Sequence, residues 1–587
     1  MRPFTASVLF LACSLASAGE SPQRQAYFGD LHIHTRWSFD AYALNVQATP
    51  KDAYRYARGG AIEHPAGGTV QLQGPPLDFI ALTEHAAYLG VSAAVDDPRS
   101  PLREVSLIRD LMSDDPEVSS AALGTFAASL ASGEAPPELI TDDIVKPTWR
   151  RIVELADEHN QPGEFTALVA YEYTSMPDGQ NLHRNVIFRG NDVPERPFAS
   201  VDSLNPEDLW RWMDEARAAG DDLIAIPHNA NASNGLMYAR TDWSGDPIDA
   251  AYADVRMRNE PVSELFQIKG SSETHPMLSP ADEWAGFEIF DRVLGRMTDP
   301  SEPAGSYVRD ALKSGLVMSL AGFNPFEMGV IGSSDGHNAT SPVEEDNYTG
   351  KIGIADHTPE RRLITPLSPA LPISAVSAWG AAGLAGVWAD ANTREALFDA
   401  LRRRETFATS GPRIRVRLFG GWSFGPADLG EGMVTTGYVR GVPMGGVLPG
   451  RGERPTFLVH ATRDPVEAQL DRLQMIKLWV EDGKAREAVI DIACAGGDKP
   501  VDGRCPKQAD NPNEACEAVS GANELDTWWA DTDFSSTLPA VYYVRVLQVP
   551  TCRWSVYDSR KLGIPHPEGI EPHIQERAVT SAIWYRP

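Results

Sequence analysis

The most constraining feature of this chain is a His-x-His pair that ends its first apolar run. His32 and His34 directly follow residues 26–31, a segment with the length and composition of a short strand. Side chains two residues apart on a strand share a face, so both imidazoles can reach one cation. The pair alone does not distinguish a metal site from surface or core histidines, so its interpretation depends on the residues that follow it.

Short apolar runs alternate with helical segments from residue 27 to about residue 410. The predicted strands are 77–82, 165–170, 223–226, 265–268, 287–290 and 329–332, and the predicted helices include 148–159, 206–219 and 305–315. This alternation is typical of a parallel α/β architecture, and barrels of this class carry their chemistry at the carboxyl ends of the strands. Residues 92–147, rich in Ser, Ala, Asp, Glu and Pro, are predicted to form a helical insertion or lid.

Histidines and carboxylates follow these predicted strands closely. Six of the 13 histidines lie at or just past a predicted strand end. The candidate metal ligands are His32, His34, Asp40, His85, Glu172, His183, His228, Asp335 and His337. Imidazole and carboxylate together suit Zn, Mn or Fe, and a set of this size suits two or three divalent ions.

Five motifs, in this order, resemble the PHP (polymerase and histidinol phosphatase) metallohydrolase superfamily. They are Asp-Leu-His-Ile-His-Thr at 30–35, Leu-Thr-Glu-His at 82–85, the isolated Glu172, Ile-Pro-His-Asn at 226–229 and Ser-Ser-Asp-Gly-His at 333–337. Segments 181–188, 267–273, 393–398 and 409–414 further resemble one exported branch of the superfamily, known as a domain of unknown function. The likeness runs from about residue 26 to residue 587.

The resemblance implies a distorted (β/α)7 TIM-like barrel with a trinuclear metal site. Position by position, it assigns His32, His34, Glu172 and Asp335 to the first ion, Glu172, His183 and His228 to the second, and Asp40, His85 and His337 to the third. Asp40 stands where many members have His or Asp. Glu84 stands where Asp is usual, and it is predicted to hold metal ligands in position without contacting the metal itself.

The same resemblance implies an exported metal-dependent hydrolase, with phosphate esters as the first expectation. A hydroxide that bridges two or three ions would be the nucleophile, and the ions would neutralise the phosphoryl oxygens. Arg184 and Lys269 are the predicted cationic residues that contact the substrate. Two alternatives stay open: another ester or amide, such as a sulfate ester or a lactone, and a metal-containing binding protein without catalysis. An open coordination position distinguishes catalytic from structural sites.

The charge of the chain limits its partners. The formal net charge is −29, so the surface repels nucleic acid and anionic membranes. A small anionic ester would therefore need cations placed locally in the site. The sequence does not determine the oligomeric state.

The first residues have the features of a secretory signal peptide, predicted to span 1–18. Arg2 precedes the apolar segment 8–12, and Ala16-Ser17-Ala18 forms a small-x-small cleavage site. A lipoprotein with Cys13 as its anchor is the alternative, but residues 10–12 match a lipobox poorly. No other segment approaches ~18 uninterrupted apolar residues. These features predict a periplasmic or secreted protein without a membrane span.

The pattern of predicted elements changes after Gly411-Pro412. Strand-like runs at 413–418, 456–461, 474–480 and 541–549 are separated by loops rich in Gly, Pro, Asp and Asn. This pattern predicts a barrel domain over 26–410 and a β-sandwich-like domain over 411–587.

Cysteine usage also points to export. Cleavage after Ala18 removes Cys13 and leaves Cys494, Cys505, Cys516 and Cys552. An even number of cysteines in an exported chain predicts two disulfides. Three pairings are open, and proximity in the chain favours Cys494–Cys505 with Cys516–Cys552.

Overall fold

The computed structural model describes residues 24–64, 67–113, 115–368, 371–507, 510–513, 516–517 and 519–587. The predicted signal peptide and Cys13 lie outside these residues. Across the described part of the chain, no helix combines the length and apolar character needed to cross a membrane.

The helices are distributed over the whole described chain. In chain order they are α1 Phe39–Ala43, α2 Pro50–Ala57, α3 Val91–Val95, α4 Ser106–Leu111, α5 Pro116–Ser132, α6 Asp142–His159, α7 Pro206–Ala219, α8 Ala250–Asn259, α9 Val308–Ser319, α10 Gly353–Asp356, α11 Pro359–Leu363, α12 Ala375–Ala378, α13 Arg394–Arg402, α14 Met433–Arg440 and α15 Trp554–Leu562.

The strands of the first part of the chain are β1 Gln25–Ile33, β2 Ile62–Glu63, β3 Thr69–Val70, β4 Phe79–Leu82, β5 Thr166–Leu168, β6 Ala170–Tyr173, β7 Arg184–Phe188, β8 Leu223–Pro227, β9 Val262–Gln267, β10 Gly270–Ser271, β11 Arg292–Val293, β12 Arg296–Pro300, β13 Gly329–Gly332, β14 Pro366–Ser368, β15 Leu371–Ser374, β16 Leu384–Ala389 and β17 Thr406–Thr409. Those that follow are β18 Arg415–Gly421, β19 Gly441–Pro443, β20 Val447–Pro449, β21 Thr456–Thr462, β22 Leu470–Glu481, β23 Lys484–Cys494, β24 Glu524–Ala530, β25 Ala540–Gln548, β26 Thr551–Cys552, β27 His573–Ile574, β28 Arg577–Thr580 and β29 Ile583–Arg586.

A large mixed sheet of eleven strands forms the centre of the molecule. Its main path runs β20-β29-β25-β28-β17-β16-β1-β4-β5, and β22 and β23 extend it beside β25. The β1–β4 and β4–β5 pairs are parallel, whereas β1–β16 and the pairs that follow it to β29 are antiparallel. The protein is therefore a mixed α/β structure built on one large central sheet.

The expected distorted (β/α)7 barrel is not observed, and the described strands form no closed barrel. Two further three-stranded sheets, β6-β7-β8 and β10-β9-β13, stand apart from the central sheet in their hydrogen bonding. The connection between β6 and β7 is only ten residues long and contains no α-helix, so the two strands pair antiparallel, as a short connection requires. Isolated bridges, Ile33 to Gly336 and His85 to Glu172, link the sheets at the ends that carry the candidate ligands.

The predicted strand at 287–290 is wrong. The structure has turns and irregular backbone there, and Glu288 adopts φ +39°, outside the extended region that a strand requires. Most other predicted elements form close to their expected positions, including the strand at 329–332 and the helix at 206–219.

Strand β25 is buried on both of its faces. Alternating residues of β25, such as Tyr542 and Val544, share a core with Val416 and Phe457 of the four-stranded sheet β19-β18-β21-β24. The opposite face of β25 packs against α9. Because β17 also pairs with β28, residues on both sides of position 411 belong to the central sheet, and the domain boundary there stays a prediction.

Two disulfides are present in the C-terminal part. Cys494 is joined to Cys505, with Cα atoms 5.7 Å apart, and Cys516 is joined to Cys552, with Cα atoms 5.5 Å apart. These are the pairings that proximity in the chain favours. Two disulfides are consistent with an extracellular location.

Candidate metal centre

Glu172 lies at the centre of the candidate site, at the bridge between β6 and the segment after β4. Five histidines surround its two carboxylate oxygens. The distances are 3.5 Å from His32 Nε2, 3.1 Å from His34 Nε2 and 3.3 Å from His85 Nδ1 to Oε2, and 2.7 Å from His183 Nδ1 and 3.6 Å from His228 Nε2 to Oε1. Glu172 is 1% exposed, so this cluster is almost fully withdrawn from water.

Asp335 forms a second carboxylate centre, next to His32 and His34. Its Oδ1 lies 3.4 Å from His32 Nε2 and 3.6 Å from His34 Nε2. The backbone of Asp335 has φ +58°, in the left-handed region that few non-glycine residues adopt, and its N–H donates to the His32 carbonyl at 2.8 Å. The turn after β13 thus holds the carboxylate against the first His-x-His pair.

Asp40 brings a third carboxylate to the opposite side of the cluster. Its Oδ2 lies 3.0 Å from His337 Nε2, and its Oδ1 lies 3.4 Å from His85 Nε2. The Asp40 side chain is 27% exposed, whereas that of His183 is 8% exposed and that of Glu172 is 1% exposed. The site is therefore most open on the side of Asp40.

The nine candidate ligands come together in one region of the molecule. Three groups have ligand atoms close enough to hold an ion: His32, His34 and Asp335; His32, Glu172 and His228; and His34, His85 and His337. The first group matches three of the four ligands expected for the first ion. The other groups mix the expected sets, since His32 and His34 each occur twice, and the division of ligands among three ions stays a prediction.

The donor atoms of the cluster fit a divalent metal. Five buried ring nitrogens have no hydrogen-bond partner: Nε2 of His32, His34, His85 and His183, and Nδ1 of His228. Buried polar atoms without hydrogen-bond partners are costly, and nitrogens of this kind beside carboxylates fit a bound cation. Neutral imidazole nitrogens beside carboxylates are the donors that Zn, Mn and Fe prefer.

Neighbouring side chains orient two of these rings. His32 Nδ1 donates to Glu264 Oε2 at 2.9 Å, and His34 Nδ1 donates to Ser38 Oγ at 2.8 Å. Ser38 in turn donates to Glu84 Oε2 at 2.6 Å, which gives Glu84 the supporting position expected for it. When a hydrogen bond places the ring proton on Nδ1, the lone pair of Nε2 is directed into the site.

The protonation states of Glu172, His183 and His228 also suit metal binding. Burial would raise the pKa of Glu172, but His85 and His183 hold that pKa well below its usual range. Burial lowers the pKa of His183 and that of His228 to about 4 each. Burial would also lower the pKa of His85, but Glu172 and Asp40 raise it to about 10. Glu172 is therefore ionised and His183 and His228 are neutral, which are the forms that coordinate metal, whereas His85 would have to release a proton on binding an ion.

Two lysines flank Asp335. Lys269 Nζ donates to Asp335 Oδ2, and Lys351 Nζ donates to the Asp335 carbonyl at 2.8 Å and lies 3.4 Å from Oδ1. The structure therefore places Lys269 at the cluster, where the sequence predicted a cation. Lys351 was not among the predicted residues, because it follows a loop glycine and no strand precedes it.

Arg184 is not joined to the cluster by a contact. Its Nε donates to Glu260 Oε1 at 2.9 Å, its Nη1 donates to the Leu182 carbonyl, and Trp210 Nε1 donates to the same Glu260 oxygen. Over the described ranges, no hydrogen bond or ion pair links Arg184 to the candidate ligands. Its contact with substrate stays a prediction.

Glu264 is the main residue that the sequence reasoning missed. It lies in β9, three residues before the end of that strand and one residue before the segment predicted as a strand, and it is 1% exposed. A carboxylate inside a buried strand needs a partner, because an unpaired buried charge is strongly unfavourable. That signal was present in the sequence, but the identity of the partner, His32, depends on the tertiary structure.

Fold and site together define a mixed α/β protein with a buried His/Asp/Glu cluster that can bind divalent metal. The chain matches the family model described as "Protein of unknown function (DUF3604)" over residues 21–587, and it belongs to that family. No curated protein matches it.

One solved structure aligns with most of this chain. It is the crystal structure of a two-domain protein containing a predicted PHP-like metal-dependent phosphoesterase from Bacteroides vulgatus. The two sequences are 11% identical, the match covers 88% of this chain and 90% of the other, and the TM-score is 0.28. A TM-score this low does not show a shared fold, so the PHP resemblance depends on the sequence motifs.

Proposed function

We propose that this protein is a metal-dependent phosphoesterase with two or three Mn, Zn or Fe ions in the cluster. The observation that carries the proposal is that each of the five histidines around Glu172 has one buried ring nitrogen without a hydrogen-bond partner. The proposed ligands are His32, His34, Asp40, His85, Glu172, His183, His228, Asp335 and His337. The two disulfides support the further proposal that the protein works in the periplasm or outside the cell.

Different residues of the chain have different roles in such a site. Bound divalent ions supply charge neutralisation for a phosphoryl group and lower the pKa of water. Glu264 and the Ser38–Glu84 pair hold the rings of His32 and His34 so that their Nε2 atoms face the cluster. To Lys269, which donates to Asp335, we assign the donation to an oxygen of an anionic substrate. Low exposure of the cluster excludes bulk water and strengthens each of these interactions.

The test combines metal analysis with turnover. We expect the purified mature protein to hold two or three equivalents of Mn, Zn or Fe and to hydrolyse p-nitrophenyl phosphate or bis-p-nitrophenyl phosphate. His34→Ala should lose metal and turnover, because the His34 ring contributes to two of the three groups. His460→Ala is the matched control, since His460 lies in β21 beside Glu524, outside the cluster.

Each alternative result has a definite meaning. Metal without turnover of either compound would redirect the assignment to sulfate esters, lactones or amides. Metal with no hydrolysis of any of these classes would favour a binding protein. Absence of metal after preparation without chelators, with no gain on adding Mn, Zn or Fe, would refute the proposal.

A further inference from the structure

The turn after β8 carries a buried asparagine next to a candidate ligand. Asn229 follows His228 in the chain and is 1% exposed. Its backbone has φ +48° and ψ +43°, in the left-handed region that asparagine adopts more often than most other non-glycine residues. Asn181 Nδ2 donates to the His228 carbonyl at 2.7 Å and to the Asn229 carbonyl at 3.3 Å. The backbone that carries the Asn229 side chain is therefore held in place.

The orientation of the Asn229 amide follows from its neighbour Gln267. The backbone N–H of Lys269 donates to Gln267 Oε1 at 2.7 Å, and because a backbone N–H can only donate, this bond identifies the oxygen of the Gln267 amide. Gln267 Nε2 is then a donor, and it lies 2.7 Å from Asn229 Oδ1 and 3.2 Å from Asp335 Oδ2. The oxygen of the Asn229 amide thus accepts from Gln267, and the Nδ2 donor is the other end of that amide.

The Nδ2 donor of Asn229 has no acceptor. It is buried and makes no hydrogen bond with any residue in the described ranges. Asn231, two residues further on, is different, because its Nδ2 donates to the carbonyls of Lys269 and Phe290 at 3.0 and 2.7 Å. The Oδ1 atom of Asn231 accepts from Ser272 Oγ at 2.8 Å, so the protein itself satisfies both ends of that amide. A buried donor without an acceptor is unfavourable, and Asn229 Nδ2 therefore fits an oxygen of a bound ligand.

The Asn229 amide lies between two candidate ligands of the metal cluster. His228 precedes it in the chain and belongs to one of the three groups that could hold an ion. On the other side, Gln267 is the single residue between the Asn229 amide and Asp335, which belongs to another of these groups. Lys269, already assigned to the substrate, donates to the same Asp335 oxygen that Gln267 contacts. The unused donor thus lies at the part of the cluster that is formed by His228 and Asp335.

We propose that Asn229 is a substrate-binding residue whose Nδ2 donates to an oxygen of the phosphoryl group. Phosphoryl oxygens are charged acceptors, and hydrogen bonds to charged acceptors are roughly twice as strong as those between neutral groups. The Asn229 amide is uncharged and held by Gln267, so it adds direction to the charge that Lys269 and bound ions supply. The inference rests on the proposed function, because it names a further contact with the same substrate.

The test is calorimetric titration of the metal-loaded protein with inorganic phosphate, together with metal analysis of each variant. We expect Asn229→Ala to bind phosphate at least about tenfold more weakly than the wild type, because a hydrogen bond to a charged group is lost. Its metal content should equal that of the wild type, since Asn229 is not among the proposed ligands. Asn229→Asp keeps the size of the side chain and the acceptor for Gln267, and it should weaken binding further because it adds a negative charge. Asn191→Ala, at an exposed position, is the control and should bind phosphate like the wild type.

Two results would overturn the inference about Asn229. One is a phosphate affinity of Asn229→Ala, or of Asn229→Asp where the Ala variant does not fold, equal to that of the wild type. The other is loss of metal from both variants, which would mean that Asn229 positions His228 instead of contacting the substrate. Hydrolysis of p-nitrophenyl phosphate by the wild type, with unchanged phosphate binding in Asn229→Ala, would refute this inference alone. A metal-loaded wild type that neither hydrolyses phosphate esters nor binds phosphate would refute the phosphoesterase and this inference together.

Discussion

Single hydrogen bonds set which ring nitrogen of His32 and of His34 faces the candidate metal site. His32 and Glu264 are both 1% exposed, and the bond between them is 2.9 Å long. A carboxylate behind a ligand imidazole fixes the ring and raises its basicity. Glu264 would therefore act on a metal ion bound at His32 by orienting that ring, without contacting the ion.

Replacing Glu264 by Gln tests this role. The substitution keeps the shape of the side chain but removes the charge that holds the proton on His32 Nδ1. We expect Glu264→Gln to weaken metal affinity roughly 10- to 100-fold, measured by competition with a chelator. Glu164→Gln, at an exposed position, serves as the control. Unchanged affinity in Glu264→Gln would show that the ring is oriented by other contacts.

At the scale of elements, the inserted helix α5 is the neighbour of the open side of the site. Phe126 of α5 lies 6.0 Å from Phe39 and 4.8 Å from Tyr88, measured between ring centroids. Phe39 in turn lies 5.1 Å from the ring of His85. The insertion thus reaches the metal cluster through one layer of aromatic side chains, although its action as a lid stays a prediction.

Removing the Phe126 ring should loosen this contact. Phe126 is 2% exposed, and a buried Phe→Ala change costs about 3–5 kcal/mol. We expect Phe126→Ala to speed hydrogen exchange in α5 and in α1, where Phe39 lies, more than in the central sheet. Thr125→Ala, at the exposed neighbouring position, should have little effect. Uniform exchange rates in both variants would mean that α5 is held by other contacts.

At the scale of the whole molecule, a buried charge network connects the two parts of the chain. Arg309 of α9 and Arg545 of β25 both pair with Asp282, at 2.9 and 2.7 Å. All three side chains are 0% exposed. Burying two guanidinium groups is favourable only while their carboxylate partners remain, because an unpaired buried charge carries a large desolvation cost.

Asp282→Asn should therefore destabilise the entire protein. We expect a loss of about 3–5 kcal/mol in the free energy of unfolding, measured by denaturant titration. Asp428→Asn breaks a 2.6 Å pair with Arg440 that is partly exposed to solvent, and it should cost less than about 1 kcal/mol. Similar costs for the two variants would mean that the buried network contributes no more than a surface pair.

A buried carboxyl group between the two parts predicts a pH dependence of stability. Burial raises the pKa of Glu345 to about 8, although Arg553 and the Trp554 N–H act in the opposite direction. The folded protein thus binds a proton that the unfolded chain, with a pKa near 4.5, releases earlier. Stability from this group is complete below the unfolded pKa and is lost as the pH rises towards 8.

We expect the Tm of the wild type to fall between pH 5 and pH 8, and the Tm of Glu345→Gln to fall less, as measured by scanning calorimetry. Glu467, whose pKa burial raises to about 7, acts in the same direction and leaves part of the slope in the variant. Glu568→Gln should keep the slope of the wild type. A slope unchanged by Glu345→Gln would show that this carboxyl is ionised in the folded state.

Local patterns predicted the elements of the molecule well where one backbone conformation dominates. The helix at 206–219 begins after Asn205, whose side chain accepts from the Glu207 N–H, and such N-cap signals are visible in sequence. The strand at 287–290 failed because Glu288 takes a left-handed conformation that apolar character does not reveal. The antiparallel pairing of β6 with β7 could not be predicted either, because the sequence pattern of a strand does not indicate the direction of the strand beside it.

The sequence by itself determined the residue types of the candidate ligands and the shared face of His32 and His34, because spacing on a strand sets which side chains share a face. Only the tertiary structure decided which partners meet: Glu264 behind His32, Lys351 beside Asp335, and Arg184 in an ion pair with Glu260. These contacts join residues from 16 to 232 positions apart in the chain. Local conformational propensities do not depend on residues so far apart in the chain. The packing of the sheets alone brings these partners together.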